Sequence, residues 1–205
     1  MQERLADGHI IAKDVSFEDY MRLYAEDHCE WVDGAVIKMS PISREHDNLD
    51  GFMYRLLSGY LDETDEAVIR RAPFVMRMHP ASRGREPDMH IVLKSRASIL
   101  KNTITTGPAD IVIEIVSEES EYRDYERKYT EYESGGIIEY WLLAPLQRSS
   151  RFLQLVNGVY QPMTLVNGLF RSTVLKQFTL DPALLWRDPL PKAREITPLI
   201  ESMLA

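Results

Sequence analysis

The stretch ADIVIEIVSEES, residues 109–120, decides how the rest of the chain is read. Ile111, Val112, Ile113, Ile115 and Val116 are β-branched, and no Gly or Pro interrupts them, so the segment reads as a strand. A continuous apolar run of this kind is covered on both faces when it lies in a sheet. Glu114 stands in its middle. A buried carboxylate without a partner costs several kcal/mol or gives up its charge, so something must hold Glu114 there.

Side chains alternate along a strand. Asp110, Val112, Glu114 and Val116 therefore share one face, and in PDMHIVL, residues 87–93, Asp88, His90 and Val92 share one face. If these two strands are neighbours, Asp88 and Glu114 point the same way. Two such carboxylates repel unless a cation lies between them, and hard oxygen ligands suit Mg²⁺ or Mn²⁺. The plainer alternative is that Glu114 pairs with an Arg or Lys of a neighbouring strand and Asp88 caps a turn after Pro87. Spacing alone leaves both open.

The polar segment that follows, residues 120–134, reads as a helix stopped by Gly135-Gly136. Asp124, Lys128 and Tyr132 recur every four residues and share one helical face. This is the spacing of a surface ion pair. It is also the spacing that turns a Lys back toward the carboxylates, where it would orient water or stabilise developing negative charge.

Upstream, Ser16 and Asp19 have capping-box spacing and open a short helix through Tyr24. Residues 30–40 read as a hairpin turning at Asp33-Gly34. Ser43 caps a long helix to about Asp62, with Leu49, Phe52, Met53, Leu56, Leu57, Tyr60 and Leu61 at helical spacing and His46 near that stripe. Residues 67–78 read as one extended segment bent at Pro73, and a loop with His79-Pro80 and Arg83-Gly84-Arg85 leads to Pro87. Residues 137–145 form a further strand, and residues 151–156 and 159–166 a hairpin around Asn157-Gly158. Residues 168–175 are expected to pair with that hairpin, and the four prolines after residue 181 predict a partly irregular tail. This order of elements predicts an α/β or α+β sandwich, a mixed sheet with helices packed on it.

The chain has 205 residues, 44% of them hydrophobic, enough for one core. One domain over residues 1–205 is expected, its core spanning about 15–185 with a C-terminal extension at 186–205. Apolar runs fall short of a membrane span, and MQERLADGHI lacks the apolar centre of a signal peptide. A lone cysteine, Cys29, forms no internal disulfide and fits a reducing cytoplasm, as a half-buried structural thiol. The net charge of −8 argues against a non-specific nucleic-acid binder. Yet residues 70–101 hold eight basic side chains against Glu86 and Asp88, a local +6 that leaves −14 for the rest. That cluster is either an ordinary solvated surface or a basic face beside an acidic site.

Five stretches taken together resemble the Uma2 (DUF820-like) family of restriction endonucleases, a branch of the PD-(D/E)XK nuclease superfamily. They are EWVDG at 30–34 with MSP at 39–41, His46, PD at 87–88, PADIVIEIVS at 108–117, and DYERKYTEY at 124–132 leading into GIIEYWL at 136–142. The resemblance spans roughly residues 15–185 and implies a restriction-endonuclease-like fold, a mixed β-sheet flanked by helices with additional hairpins. It implies that Asp88 is the Asp of the PD half-motif, that Glu114 is the acid of (D/E)XK, and that Ile115 offers its carbonyl to the metal. The motif lysine is absent, because Val116 stands in its place, and Lys128 is the candidate for a lysine migrated onto the next helix. Glu30 and His46 match further polar positions, where they would complete the metal site or handle the leaving-group proton.

The expected activity is therefore Mg²⁺- or Mn²⁺-dependent hydrolysis of phosphodiester bonds in DNA, with phosphate contacts from the basic segment around Arg70–Arg96. The competing expectation is a catalytically inactive interaction module that keeps the nuclease fold and binds nucleic acid or protein. A homodimer is expected because residues 137–145 and the later hairpins carry apolar strand edges, and duplex cleavage needs two cuts.

Overall fold

The computed structural model describes residues 9–79 and 83–205. Residues 1–8, most of the charged N-terminal stretch, and residues 80–82 of the loop after His79 lie outside the described residues.

The first layer is built from short strands. β1 (His9–Ala12) pairs with β3 (Ala35–Lys38), which pairs with β2 (Cys29–Val32). Asp33 and Gly34 join β2 to β3, both at positive φ, as a two-residue hairpin turn requires. Between β1 and β2 lies α1 (Phe17–Leu23), whose first turn is capped by the Ser16 hydroxyl accepting from the Asp19 N–H. β5 (Val75–Arg77), β6 (Gly84–Arg85) and β8 (Ile104–Thr105) complete this sheet in the order β1-β3-β2-β6-β5-β8.

The second sheet carries the core. Its strands are β4 (Ala67–Arg71), β7 (Met89–Leu93), β9 (Ile111–Ile115), β10 (Glu139–Ala144), β11 (Ser149–Val156) and β12 (Val159–Pro162), ordered β12-β11-β10-β9-β7-β4. β9 and β10 run parallel, and every other neighbouring pair is antiparallel. Both faces of β9 are covered, as its composition predicts. Ile111, Ile113 and Ile115 join Met89, Ile91, Trp141 and Leu143 against the long helix α2 (Arg44–Thr64). Val112 and Val116 join Val92, Tyr140 and Leu142 on the other face. There a π-helical turn (Arg123–Lys128) continues into α3 (Tyr129–Gly135) and closes the sheet with Tyr132. Each fully buried Val or Ile contributes about 1.5–3 kcal/mol relative to exposure, so the run at 111–116 is held firmly in place.

The structure corrects four local expectations and refines a fifth, since the tail is irregular only between its two helical pieces. The segment 67–78 is not one strand: it breaks at residues 72–74, and its halves, β4 and β5, enter different sheets. Gly84-Arg85 is not loop but strand β6, tied to Trp31 on one side and to Met76 and Arg77 on the other. Residues 137–145 offer no open edge, because β10 lies between β9 and β11. Residues 168–175 do not extend the hairpin; β13 (Phe170–Arg171) pairs with β14 (Thr179–Leu180) as a separate ribbon. The proline-rich tail forms a 3₁₀ turn (Pro182–Trp186) and then α4 (Ala193–Leu204), with Pro198 inside it. Ile196 and Ile200 of α4 enter the same cluster as α2, so an amphipathic face outweighs the cost of an internal proline.

Candidate active site

Between β6 and β7 the chain crosses from one sheet to the other through Glu86-Pro87-Asp88. β7 pairs with β9 in the register Met89↔Ile113. One further step sets Asp88 opposite Glu114, on the face that strand parity predicts. Asp88 Oδ2 accepts the Ile115 N–H at 2.6 Å. The N–H and C=O of a strand residue point to the same edge, so the Ile115 carbonyl lies on this side as well. The ladder ends at Met89↔Ile113; continued by two steps it would set Pro87 opposite Ile115, and Pro87 has no N–H to donate.

The helix over the second face brings the lysine. Lys128 ends the π-helical turn and is buried. Its Nζ stands 2.8 Å from Glu114 Oε1, 3.4 Å from Glu30 Oε1 and 3.5 Å from Asp124 Oδ1. Tyr132, one turn on, donates its hydroxyl to the same Glu114 oxygen at 2.8 Å. Tyr140 from β10 donates to the Asp124 carbonyl at 2.9 Å, pinning the wide turn to the sheet. Such π-helical turns interrupt α-helices where a side chain must be aimed. The Asp124, Lys128 and Tyr132 triplet is therefore buried, and the surface-ion-pair alternative falls. Glu114 does take a lysine partner, but from the helix and not from a neighbouring strand.

Glu30 of β2 reaches the site from the other sheet. Its Oε2 accepts from Arg85 Nη1 at 2.6 Å, and Arg85 in turn is gripped by both oxygens of Glu131. Glu30 thus links this arginine to Lys128. His46, in the first turn of α2, places Nε2 3.2 Å from Asp88 Oδ1. Asp88 is the part that opens to the cleft, with its side chain 19% exposed, against 4% for Glu114.

The charges in this cluster are unequal. Burial penalises Glu30, but Lys128, Arg85 and Arg123 outweigh it and hold its carboxyl well below the usual range. Burial also opposes ionisation of Asp88, and His46 with the Ile115 N–H brings it below its ordinary value. Glu114 is different. Burial, only partly offset by Lys128 and reinforced by Asp124 and Asp88, pushes it up to about 8. Burial would discharge Lys128, but its ring of carboxylates keeps it above the ordinary lysine value. His46 is likewise lowered by burial and raised more by Asp88, Asp50 and Glu114. Asp124 is raised as well, by burial that Lys128 and Arg123 only partly offset, so Glu114 and Asp124 are the carboxylates whose charge this cluster supports least.

A hard divalent cation beside Glu114 would favour its charged form. Asp88, Glu114 and the Ile115 carbonyl form an all-oxygen donor set on one side of the sheet. Among the described residues no three His, Cys, Asp or Glu side chains stand at metal-binding spacing, so water and substrate oxygens would supply the remaining ligands. The cleft, about 250 Å³, is lined by these groups and by Ser117, Glu118 and Glu119.

Residues 17–183 match the family described as "Uma2: Putative restriction endonuclease". The chain belongs to the Uma2 family. The fold agrees with this membership. A crystal structure described as "a putative nuclease belonging to DUF820" from Anabaena variabilis ATCC 29413 superposes with a TM-score of 0.66 at 12% identity, covering 91% of this chain and 99% of that one. No curated protein matches the chain.

Several Uma2-like residues prove to be structural. In the EYWL run at 139–142, Glu139 is buried and accepts from Trp141 Nε1, Ser172 Oγ and the Thr173 N–H, tying β10 to the segment before β14. Trp141 packs with Phe152, Phe170 and Phe178. The sequence reading missed Arg85 and Glu131 as the support of Glu30, and Glu86, which lines the cleft and accepts from Tyr20 and contacts His28 Nδ1 at 3.2 Å. The signal for Arg85 and Glu86 was their nearness to Asp88; nothing local marked Glu131. No helix among the described residues is long and apolar enough to cross a membrane.

Proposed function

We propose that this Uma2 nuclease is a metal-dependent endonuclease that hydrolyses phosphodiester bonds in DNA. The observation that carries the reading is the placement of Asp88 and Glu114 one register step beyond the β7–β9 ladder, on one face, with a buried lysine ammonium 2.8 Å from Glu114. Asp88, Glu114 and the Ile115 carbonyl would hold Mg²⁺ or Mn²⁺. The bound cation would polarise the scissile phosphate and lower the pKa of an attacking water. Lys128, kept charged by Glu30, Glu114 and Asp124, offers positive charge to the phosphate as negative charge builds on it, and orients the incoming water. Tyr132 fixes the Glu114 carboxyl, and His46 orients Asp88. Val116 is packed in the apolar cluster of the second face, which explains why the lysine comes from the helix instead.

The test is cleavage of supercoiled plasmid and of single-stranded DNA with Mg²⁺ or Mn²⁺. Wild type is compared with Asp88→Asn, Glu114→Gln and Lys128→Ala, with metal titrated calorimetrically into each. Metal-dependent nicking lost in all three supports the site as drawn. Metal binding without cleavage of any substrate points to a sequence-specific nuclease that was not shown its target. Absence of both metal binding and cleavage removes the proposal and favours the inactive interaction module. The expectation of a homodimer is tested by sedimentation of the same proteins.

A further inference from the structure

The cleft is acidic: Glu45, Glu118 and Glu119 line it together with Asp88 and Glu114. Before a cation binds, such a surface repels phosphate. The basic segment at 70–101 offsets this only in part, because four of its eight cations, Arg71, Arg83, Arg85 and Arg96, are paired with at least one largely buried acid. Arg71 pairs with Asp50, Arg83 with Asp33 and Glu131, Arg85 with Glu30 and Glu131, Lys94 with Asp65, and Arg96 with Asp110. These pairs weigh against the expectation that the Arg70–Arg96 segment supplies the phosphate contacts.

A different basic surface adjoins the cleft. A groove of about 520 Å³ carries Arg44, Arg55, Arg148, Arg187 and Lys192, against only Glu45 and Asp188. That local excess of three positive charges sits on a chain whose net charge is −8. The groove shares Glu45 and Pro145 with the cleft, so the two adjoin. Arg55, Arg148 and Lys192 form no ion pair among the described residues. Arg44 and Arg187 are paired only at the exposed surface, with Glu45 and Glu195. Such pairs contribute about 0–1 kcal/mol and are readily exchanged for a phosphate. Trp186 adds an aromatic wall. Trp186, Arg187 and Lys192 all follow residue 183, where the family match ends. Their path is set by the Asp181-capped 3₁₀ turn on one side and by the docking of α4 on α2 on the other.

We infer that this groove is a phosphate-backbone track that holds the duplex flanking the scissile bond. The inference rests on the nuclease reading for its substrate, and it rests on the groove's own charge for its place.

The experiment measures binding of a short random-sequence duplex as a function of salt, without divalent cation so that cleavage cannot intervene. Wild type is compared with the triple variant Arg55→Gln, Arg148→Gln, Lys192→Gln, and with a control triple of equal charge, Lys13→Gln, Lys101→Gln, Lys176→Gln. Three lost phosphate contacts reduce the log–log salt slope by about 2.7 and the affinity at moderate salt on the order of 10²-fold, with the control near wild type. Equal losses in both triples, an unaffected groove triple, or no binding by wild type would each overturn the inference. The nuclease reading is judged separately, by metal titration and by Asp88→Asn cleavage. The groove triple should leave metal affinity unchanged.

Discussion

Replacing Lys128 by methionine removes one charge from the most crowded part of the molecule while keeping most of the side chain's volume. Its ammonium faces three carboxylates, at 2.8 Å from Glu114, 3.4 Å from Glu30 and 3.5 Å from Asp124. All four side chains are buried, so water cannot replace what is lost. Breaking a buried ion pair by removing one partner costs about 3–5 kcal/mol, chiefly because the other charge is stranded. For a chain of this length each kcal/mol moves the midpoint of thermal unfolding by about 2–4 °C, so Lys128→Met is expected to lower it by about 6–20 °C. The loss should be largest above pH 8, where Glu114 would otherwise be ionised, and smaller at pH 6, where it carries a proton. Adding Glu114→Gln to Lys128→Met should return a large part of the stability, because the double variant has one stranded carboxylate fewer. Calorimetric unfolding of the four proteins of this cycle at both pH values is the assay. A loss under about 1 kcal/mol for Lys128→Met, or no coupling between the two positions, would refute the argument that carboxylates hold the lysine in place.

Other outcomes follow from the same geometry. The Glu114 carboxyl has its pKa raised from 4.5 to about 8, so the folded state binds a proton that the unfolded chain releases. Stability of the metal-free protein should therefore fall as pH rises through that window, by at most about 1.4 kcal/mol per pH unit. Glu114→Gln should flatten this dependence, and titration of Mg²⁺ at pH 7 should release up to one proton in wild type only; a pH-independent difference between the two would sink the assignment. If the proposed site holds, Asp88→Asn should reduce cleavage on the order of 10²-fold or more at near-native melting temperature, since it removes the proposed ligand that is the most exposed of the set, a range comparable to loss of one key electrostatic stabiliser. Glu139→Ala should cost about 2–4 kcal/mol by stranding the donors of Trp141 and Thr173, and should leave metal affinity intact. A drop in metal affinity without a drop in stability would instead place Glu139 in the site.

Much of the site was legible along the chain because strand parity is a property of covalent geometry. Alternation alone put Glu114 with Val112 and Val116, and Asp88 with His90 and Val92. The two core clusters divide along that line. The turn at Asp33-Gly34 and the Ser16 and Ser43 caps were equally local, being fixed by backbone conformations that few residues adopt. The recurrence of Asp124, Lys128 and Tyr132 marked a common face, but not whether it looked inward. Burial depends on what packs there, and in this fold that is β9 and β10.

The tertiary structure alone decided the rest. Two short extended pieces on either side of Pro73 have similar local character, yet one enters each sheet, because pairing partners are chosen by non-local contacts. The basic run at 70–101 read as either a solvated surface or a basic face, and several of its cations are taken up by acids up to about fifty positions away, such as Asp33, Asp50 and Glu131. The proline-rich tail looked irregular until α2 offered an apolar groove for Ile196 and Ile200. The sequence by itself determined which side chains share a face and where the chain turns, since both are set within a few bonds. Which faces meet, and hence that Glu114 is at once held by a lysine and set beside Asp88, was decided only by packing, where the cost of burying a charge forces distant residues to answer it.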